Sequence, residues 1–422
     1  MISNLNSMVY VCVVSGFNVA ELESCLARRP SHVLLVVSDR QEFRKGAERL
    51  ENVLKARLPG ITLHRPDCQN DAAKLGGDDV LECQAWVQEV LLPYLNQPGL
   101  QALPRLLNFT GGTKAMTAAL LAAGSWAELD YKAISQQKLQ VLKLLQANNA
   151  AAHEFTALQT MSLADAHALD VAALYNPRTR NAPLNPLIQH PASGKLAQDI
   201  WEAQNRADPT LQTLFDALGE VWSAGRDKDE HKKSHTSVVP LPPSLDWPAL
   251  DTWLQRCNAL VPGVLSREQA KLNLPGNKCK DEQAHFKAWI SGAWLEQLCY
   301  DWLHQAGVPE SAIARNLVGG LDDARTSSKR EADLLLHYRG ATRVIEVKAG
   351  LPKNFEPKHM QEQLSSLENH FGKTKKTLFI GPHLKLQLQT NNQLDDFCLR
   401  CKAADVDICY DRASLLKSAG IC

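Results

Sequence analysis

The sequence predicts an α/β protein: a Rossmann-like domain over residues 1–150, a mostly helical connector over 151–281 and a second α/β domain over 282–422. Three observations lead there. Short apolar, β-rich runs alternate with amphipathic helical stretches at the start, as in a largely parallel sheet covered on both faces. The β signal then fades, and it returns after Asp281 behind a strongly apolar helix. A length of 422 residues, at about 150 per domain, also favours two to three domains.

In chain order, Val9–Val14 reads as a first strand and Glu21–Arg28 as a helix. His32–Val37 is a second strand, ending at Ser38-Asp39-Arg40 before a helix through Leu54. Ile61–Leu63 is a short third strand and Asp79–Tyr94 a helix. Leu106–Phe109 is a fourth strand, running into Thr110-Gly111-Gly112-Thr113-Lys114 and a helix over Ala115–Trp126. In the middle, Ser162–Leu174, Lys195–Asn205 and Leu211–Ala224 read as helices, separated by proline-rich and charged loops. Ile290, Trp294, Leu298 and Trp302 then make a helical stripe within Phe286–Ala306. Strands Glu331–His337 and Arg343–Lys348 come next, joined by Tyr338–Thr342 as a hairpin loop. Helix Pro357–Phe371, strand Thr377–Ile380, helix Leu394–Ala403 and strand Val406–Tyr410 complete the order.

Composition narrows the function. Hydrophobic residues make up 45% and charged residues 22%, so each domain can bury a core and wholesale disorder is excluded. The 46 basic and 46 acidic residues cancel, so a nucleic-acid partner must be met by a local patch. Arg325, Lys329, Arg330, Lys353, Lys358, Lys373, Lys375 and Lys376 could supply one, or simply a solvated face. No apolar run is long enough to span a membrane, and no basic region precedes the first apolar segment, so neither a membrane partner nor a signal peptide is expected. Eleven scattered cysteines, an odd count, read as reduced thiols in a cytoplasmic protein.

The strongest chemical signal is Asp333 followed by Glu346-Val347-Lys348. Residues i and i+2 of a strand share a face, so Glu346 and Lys348 sit side by side, and the hairpin brings Asp333 alongside. Two such carboxylates can share a hard divalent cation, Mg2+ or Mn2+, which lowers the pKa of bound water. Lys348 can orient that water or stabilise an oxyanion. Glu296, at the edge of the buried helical stripe, is placed to add a third carboxylate. A short Glu-x-Lys string by itself also suits an ordinary solvated edge strand.

The second signal is the loop Thr110, Gly111, Gly112, Thr113, Lys114. Paired glycines let backbone N–H groups approach a ligand, the following helix N-terminus favours anions, and Lys114 adds charge. The spacing is not that of a Walker loop. Ser15, Gly16, Phe17 and Asn18 after the first strand, with Ser38 and Asp39 after the second, lie at the same carboxyl edge, where ligands of open α/β sheets bind. Ordinary strand-to-helix turns have the same composition.

Other candidates have plainer readings. Cys398 and Cys401 lack the further ligands of a zinc site and suit helix packing. His231 and His235 sit in a lysine-rich loop, and Trp289, Trp294 and Trp302 read as core. The polar loop Gly319–Lys329 could move over a substrate.

Asn108–Met116 resembles the ligand-loop motif of CARF domains, the CRISPR-associated Rossmann-like sensors of cyclic oligoadenylate. Trp294-Leu295-Glu296, Asp333 and Glu346-Val347-Lys348 resemble the PD-(D/E)xK nuclease core, a restriction-endonuclease-like α/β domain. Together they resemble the ancillary nucleases of type III CRISPR systems. The resemblance covers both ends of the chain and only loosely the middle. It implies a homodimer that clasps one cyclic tetra-adenylate as allosteric activator and then cuts DNA, or in some relatives single-stranded RNA, with a catalytic metal. Ser15–Asn18, Ser38, Asp39 and Thr110–Lys114 would contact the activator; Asp333, Glu346, Lys348 and Glu296 would be catalytic, the three acids holding metal. The pattern departs in one place, since Ala332 stands where the motif has proline. Two rivals stay open: a ligand-responsive regulator that grips nucleic acid without cutting it, and a Rossmann-type enzyme of small metabolites. The second lacks a G-x-G-x-x-G after the first strand.

Overall fold

The computed structural model describes residues 5–68, 73–124, 126–132, 138–146, 153–163, 166–224, 236–275, 281–319, 330–350 and 374–421. Its first part is built from β1 (Asn6–Val13), α1 (Val19–Arg28), β2 (Pro30–Val36), α2 (Gln41–Arg57), β3 (Thr62–His64), α3 (Val80–Trp86) and α4 (Leu92–Leu95). It continues through β4 (Arg105–Asn108), α5 (Lys114–Ala122), β5 (Glu128–Lys132), β6 (Lys138–Gln146) and β7 (His153–Ser162). The seven strands form one sheet in the order β3-β2-β1-β4-β5-β6-β7. The expected Rossmann-like pattern is there, and β1 shows why its strands are apolar throughout. Val9, Val11 and Val13 enter one core while Tyr10, Cys12 and Val14 enter another on the opposite face.

Strands β5, β6 and β7 continue this sheet, the last of them lying at His153–Ser162. Strand β6 pairs antiparallel with both neighbours, and Leu145, Phe155 and Leu158 of the β6–β7 hairpin are exposed. Polar and apolar residues are mixed along this hairpin, which gives no continuous apolar run to read.

The middle of the chain is mostly helical, with four short strands among its helices. It holds α6 (Ala168–Tyr175), β8 (Arg180–Asn181), α7 (Ser193–Asn205), α8 (Pro209–Ala224), β9 (Thr236–Pro240), α9 (Trp247–Asn258), β10 (Ser266–Glu268) and β11 (Lys271–Pro275). Strands β10, β11 and β9 form a small antiparallel sheet, too short in each strand to leave a periodic signal. The middle also shares its core with the C-terminal elements: Leu196, Leu214, Leu250 and Leu272 belong to one apolar cluster with Trp289, Trp294, Leu334 and Val347.

The last part starts with α10 (Asp281–Ala288), a π turn at Trp289–Ala293 and α11 (Trp294–Gln305). Then come β12 (Ile313–Gly319), β13 (Arg330–Tyr338), β14 (Ala341–Lys348), β15 (Lys375–Ile380) and β16 (Val406–Cys409), with helices Pro382–Thr390, Leu394–Ala403 and Arg412–Ser418. The sheet order is β16-β15-β14-β13-β12-β8, so β8 from the middle and the unforeseen β12 widen it. The β13–β14 loop is a two-residue turn at Arg339 and Gly340, both with positive φ. The expected helix over Pro357–Phe371 and most of the loop Gly319–Lys329 lie outside the described residues.

Helix α6 joins the two large sheets. Val171 and Leu174 pack into the core over α1 and α2, whereas Ala168 and Ala172 pack on the C-terminal sheet. The i, i+4 spacing of those alanines makes the second face narrow enough to fit between the layers. Arg57 fixes it further, 3.2 Å from Asp170. No helix among the described residues is long and apolar enough to cross a membrane.

Candidate functional site

The C-terminal cluster begins with a break in the β13–β14 ladder. Cross-strand pairing runs from Tyr338↔Ala341 to Leu334↔Ile345, which leaves Asp333 opposite Glu346. There the Val347 N–H donates to Asp333 Oδ2 at 2.7 Å, a side chain standing in for the ladder carbonyl. The strand turns at this point: Ala332 packs in one core and Leu334 in the other, although residues two apart ordinarily share a face. Asn316, which falls opposite Asp333 in the β12 register, has a left-handed φ of 50°.

Glu346 and Lys348 share one side of β14, as their spacing predicts, and the Lys348 ammonium contacts Glu346 Oε1. Asp333 Oδ2 lies 3.8 Å from the same ammonium. Burial would lower the Lys348 pKa, but Glu346 and Asp333 together hold it above its ordinary value. Burial raises Asp333. It also lifts Glu346 to about 7 and Glu296, on the first turn of α11, to about 8, with the Asp333 carboxylate adding to both. These four residues, brought together from α11, β13 and β14, therefore form one electrostatic unit.

The donor chemistry suits a hard divalent cation: Asp333 and Glu346 meet at the Lys348 ammonium, Glu296 interacts electrostatically with all three, and burial penalises the charge of each carboxyl. As the side chains stand, no three carboxylate, histidine or cysteine groups among the described residues are arranged to hold one ion. Lys348 lies where Asp333 and Glu346 converge.

Two further groups escaped the sequence reading. Glu331, two residues before Asp333, has its pKa raised by burial and then by Asp333. The i, i+2 rule that paired Glu346 with Lys348 could have flagged it. Arg315 on β12 lies 4.4 Å over the Tyr300 ring and interacts with Glu296 and Asp301. Only the unforeseen strand brings it there.

At the other end, β1 pairs in parallel with both β2 and β4, so the loops after all three open at one carboxyl edge. This is the switch point of the sheet, where strand order reverses. Ser15 Oγ and Asn18 Oδ1 close the first loop by accepting from the Phe17 and Ser15 N–H groups, and Phe17 is exposed beside Tyr175. Ser38 is fully buried, while Asp39 is exposed and its N–H donates to Leu75 O. Thr113 caps α5 by accepting from the Met116 N–H, and its hydroxyl donates to Gly77 O. Gly112 has a φ of 77° and lies against Val13, leaving no room for a side chain; Gly111 lies against Val13 O and the Glu21 carboxyl. Thr110, Gly111, Gly112, Thr113 and Lys114, with Thr117, Ala118 and Leu121, line an open depression of about 340 Å³. Gly16 and the exposed Lys114 complete the expected set at this edge.

The remaining candidates behave as core or surface. Trp289 and Trp294 are fully buried, and Trp302 nearly so. Cys401 is buried and Cys398 lies 3.0 Å from the Tyr410 hydroxyl, with all nine cysteines of the described residues free. Of the basic residues, Lys375 is exposed and Lys376 is buried. Arg325, Lys329, Lys353, Lys358, Lys373, His231 and His235 lie outside the described residues, as does the Arg330 side chain.

No protein-family model matches the sequence, and no curated protein matches it. Solved structures do. Protein VC1899 from Vibrio cholerae is similar with a TM-score of 0.66 at 14% identity, over 98% of this chain and 96% of that one. Can2 from Sulfobacillus thermosulfidooxidans, solved in complex with cyclic tetra-adenylate, is similar with a TM-score of 0.63 at 17% identity, again over 98% and 96%. Over nearly its whole length, then, the chain has the α/β fold of these two proteins.

Proposed function

We propose that the chain is a cyclic-oligoadenylate-activated, metal-dependent endonuclease, an ancillary effector of type III CRISPR defence that acts on DNA as a homodimer. The observation that carries this reading is the convergence of Asp333 and Glu346 on Lys348, with Glu296 in the same electrostatic unit. The fold shared with Can2, whose structure holds cyclic tetra-adenylate, supports the choice of activator.

In this reading Asp333 and Glu346 hold Mg2+ or Mn2+, with Glu296 as the third carboxylate. The ion supplies a water of lowered pKa and neutralises charge developing at phosphorus. Lys348, beside both acids, would donate to the oxyanion. Burial of Glu346 keeps bulk water from screening these charges. At the other end, the Gly111–Gly112 loop and the α5 N-terminus take ligand phosphates, and Lys114 adds charge.

The test is cleavage of supercoiled plasmid and labelled single strands by purified protein with Mn2+ or Mg2+, with and without cyclic tetra-adenylate. Glu346→Ala is expected to lower the ligand-stimulated rate by at least about 100-fold, the range for loss of a group acting on the transition state. Cleavage that persists in Glu346→Ala would overturn the assignment. Ligand and DNA binding without cleavage would favour a regulator.

A further inference from the structure

A chain of hydrogen bonds runs from the ligand edge of the first sheet to the hairpin carrying Asp333 and Glu346. It starts in the candidate loop, where Thr110 Oγ1 accepts from the Lys132 N–H at 2.9 Å. The Lys132 ammonium, at the end of β5, pairs with Glu23 Oε2 on α1. Glu23 Oε1 lies 2.9 Å from His337 Nε2 on β13. His337 Nδ1 in turn lies 2.9 Å from Thr342 Oγ1 on β14. In the tautomer protonated at Nε2, the ring donates to the carboxylate and accepts from the hydroxyl.

Two features separate this chain from an ordinary surface pair. Glu23 and His337 are fully buried and Lys132 is 4% exposed, so solvent does not screen the charges. Burial would raise the Glu23 pKa, but the His337 hydrogen bond and Lys132 hold it below its ordinary value. Apolar side chains of the same volume would ordinarily join two layers at lower cost, while loss of one partner strands a buried charge. The bonds therefore fix which residues of the two layers meet.

The placement gives that fixation a use. Helix α1 starts directly after the Ser15–Asn18 loop, and β5 ends beside Thr110, so both candidate ligand loops lead to the Glu23–Lys132 pair. On the far side, His337 and Thr342 flank the closed end of the hairpin, next to its two-residue turn. Asp333 and Glu346 sit four residues further along their strands, about 13 Å at the rise of a strand, where the ladder opens. The contacts thereby link α1 and β5 to the end of the hairpin opposite the acids.

We propose that Glu23, Lys132, His337 and Thr342 are positioning residues, a buried joint through which ligand loops and catalytic hairpin move together. The proposal rests on the functional reading above for its ligand, but not for its geometry. Coupling of this kind ordinarily amounts to about 5- to 150-fold in an equilibrium.

The test uses full-length protein with Glu23→Gln, Thr342→Val and the double substitution, each checked for wild-type secondary structure. Thr342→Val removes only the last bond and keeps the test alive should Glu23→Gln fail to fold. Two quantities are read: the ratio of plasmid cleavage with and without cyclic tetra-adenylate, and amide hydrogen exchange across residues 333–347 without ligand. We expect about a tenfold fall in the ratio for either single variant and a double variant no worse than the weaker single. Wild-type ratios in every variant would overturn the joint. If the wild-type protein itself ignores cyclic tetra-adenylate, the proposed activator falls, and exchange decides the joint separately. Faster exchange on the hairpin in Glu23→Gln, a change made in the other layer, sustains it; unchanged exchange removes it.

Discussion

Glu21 shows how closely the carboxyl edge of the first sheet is built. Its carboxyl lies beneath Gly111, it is 1% exposed, and Oε2 has no hydrogen-bond partner among the described residues. Burial is the main cause lifting its pKa from 4.5 to about 7. Between those values the folded chain keeps a proton that the unfolded chain releases. Stability therefore falls as pH rises through that window and levels off above about 7. The full effect is roughly 3 kcal/mol for a group this buried. Glu21→Gln should remove the slope, so the urea midpoints of variant and wild type should agree near pH 4.5 and separate by pH 8, the variant being the more stable. Midpoints that stay parallel would mean that this carboxyl does not titrate there. Glu21 has no signature in sequence, because an acid in the first turn of a helix is ordinary. Glu346 and Lys348 were legible because a strand puts i and i+2 on one side. Glu23 and His337, 314 positions apart, share no local spacing at all.

Among the elements, α6 has an influence out of proportion to its length. One side packs with α1 and α2, the other with the C-terminal sheet, and Ala168 and Ala172 are fully buried on that second side. Ala172→Leu would overpack this face and should cost about 1–3 kcal/mol. Because the helix belongs to both layers, calorimetry should show one transition moved to lower temperature. Two transitions with only one displaced would show that the layers unfold independently. The sequence made α6 visible as a helix but not as a joint, since small residues on one face resemble any alanine-rich helix. Strands β1, β2 and β4 were visible because both of their faces are buried. The β6–β7 hairpin was not, since its exposed Leu145, Phe155 and Leu158 interrupt any simple alternation.

For the molecule as a whole, the shared core decides where it can be divided. The sequence suggests a nuclease domain starting at residue 282, because composition shifts there and a strong apolar stripe begins. In the fold that stripe is not covered by its own sheet alone: Trp289, Trp294 and Leu298 belong to one cluster with Leu196, Leu214, Leu250 and Leu272 from the middle. Ser193 on α7 also donates to Gln297 on α11 at 2.7 Å, in a buried contact. Strand β8 adds an edge to the same sheet. A fragment of residues 282–422 would bare these tryptophans to water, at about 25 cal/mol for each Å² of apolar surface. It should express as insoluble or molten protein lacking the near-ultraviolet circular dichroism of fixed tryptophans. A fragment of residues 178–422, which restores β8, α7, α8, α9 and the small sheet, should recover that signal. A soluble 282–422 fragment with native-like tryptophan spectra would show instead that the middle only rests on the last part of the chain.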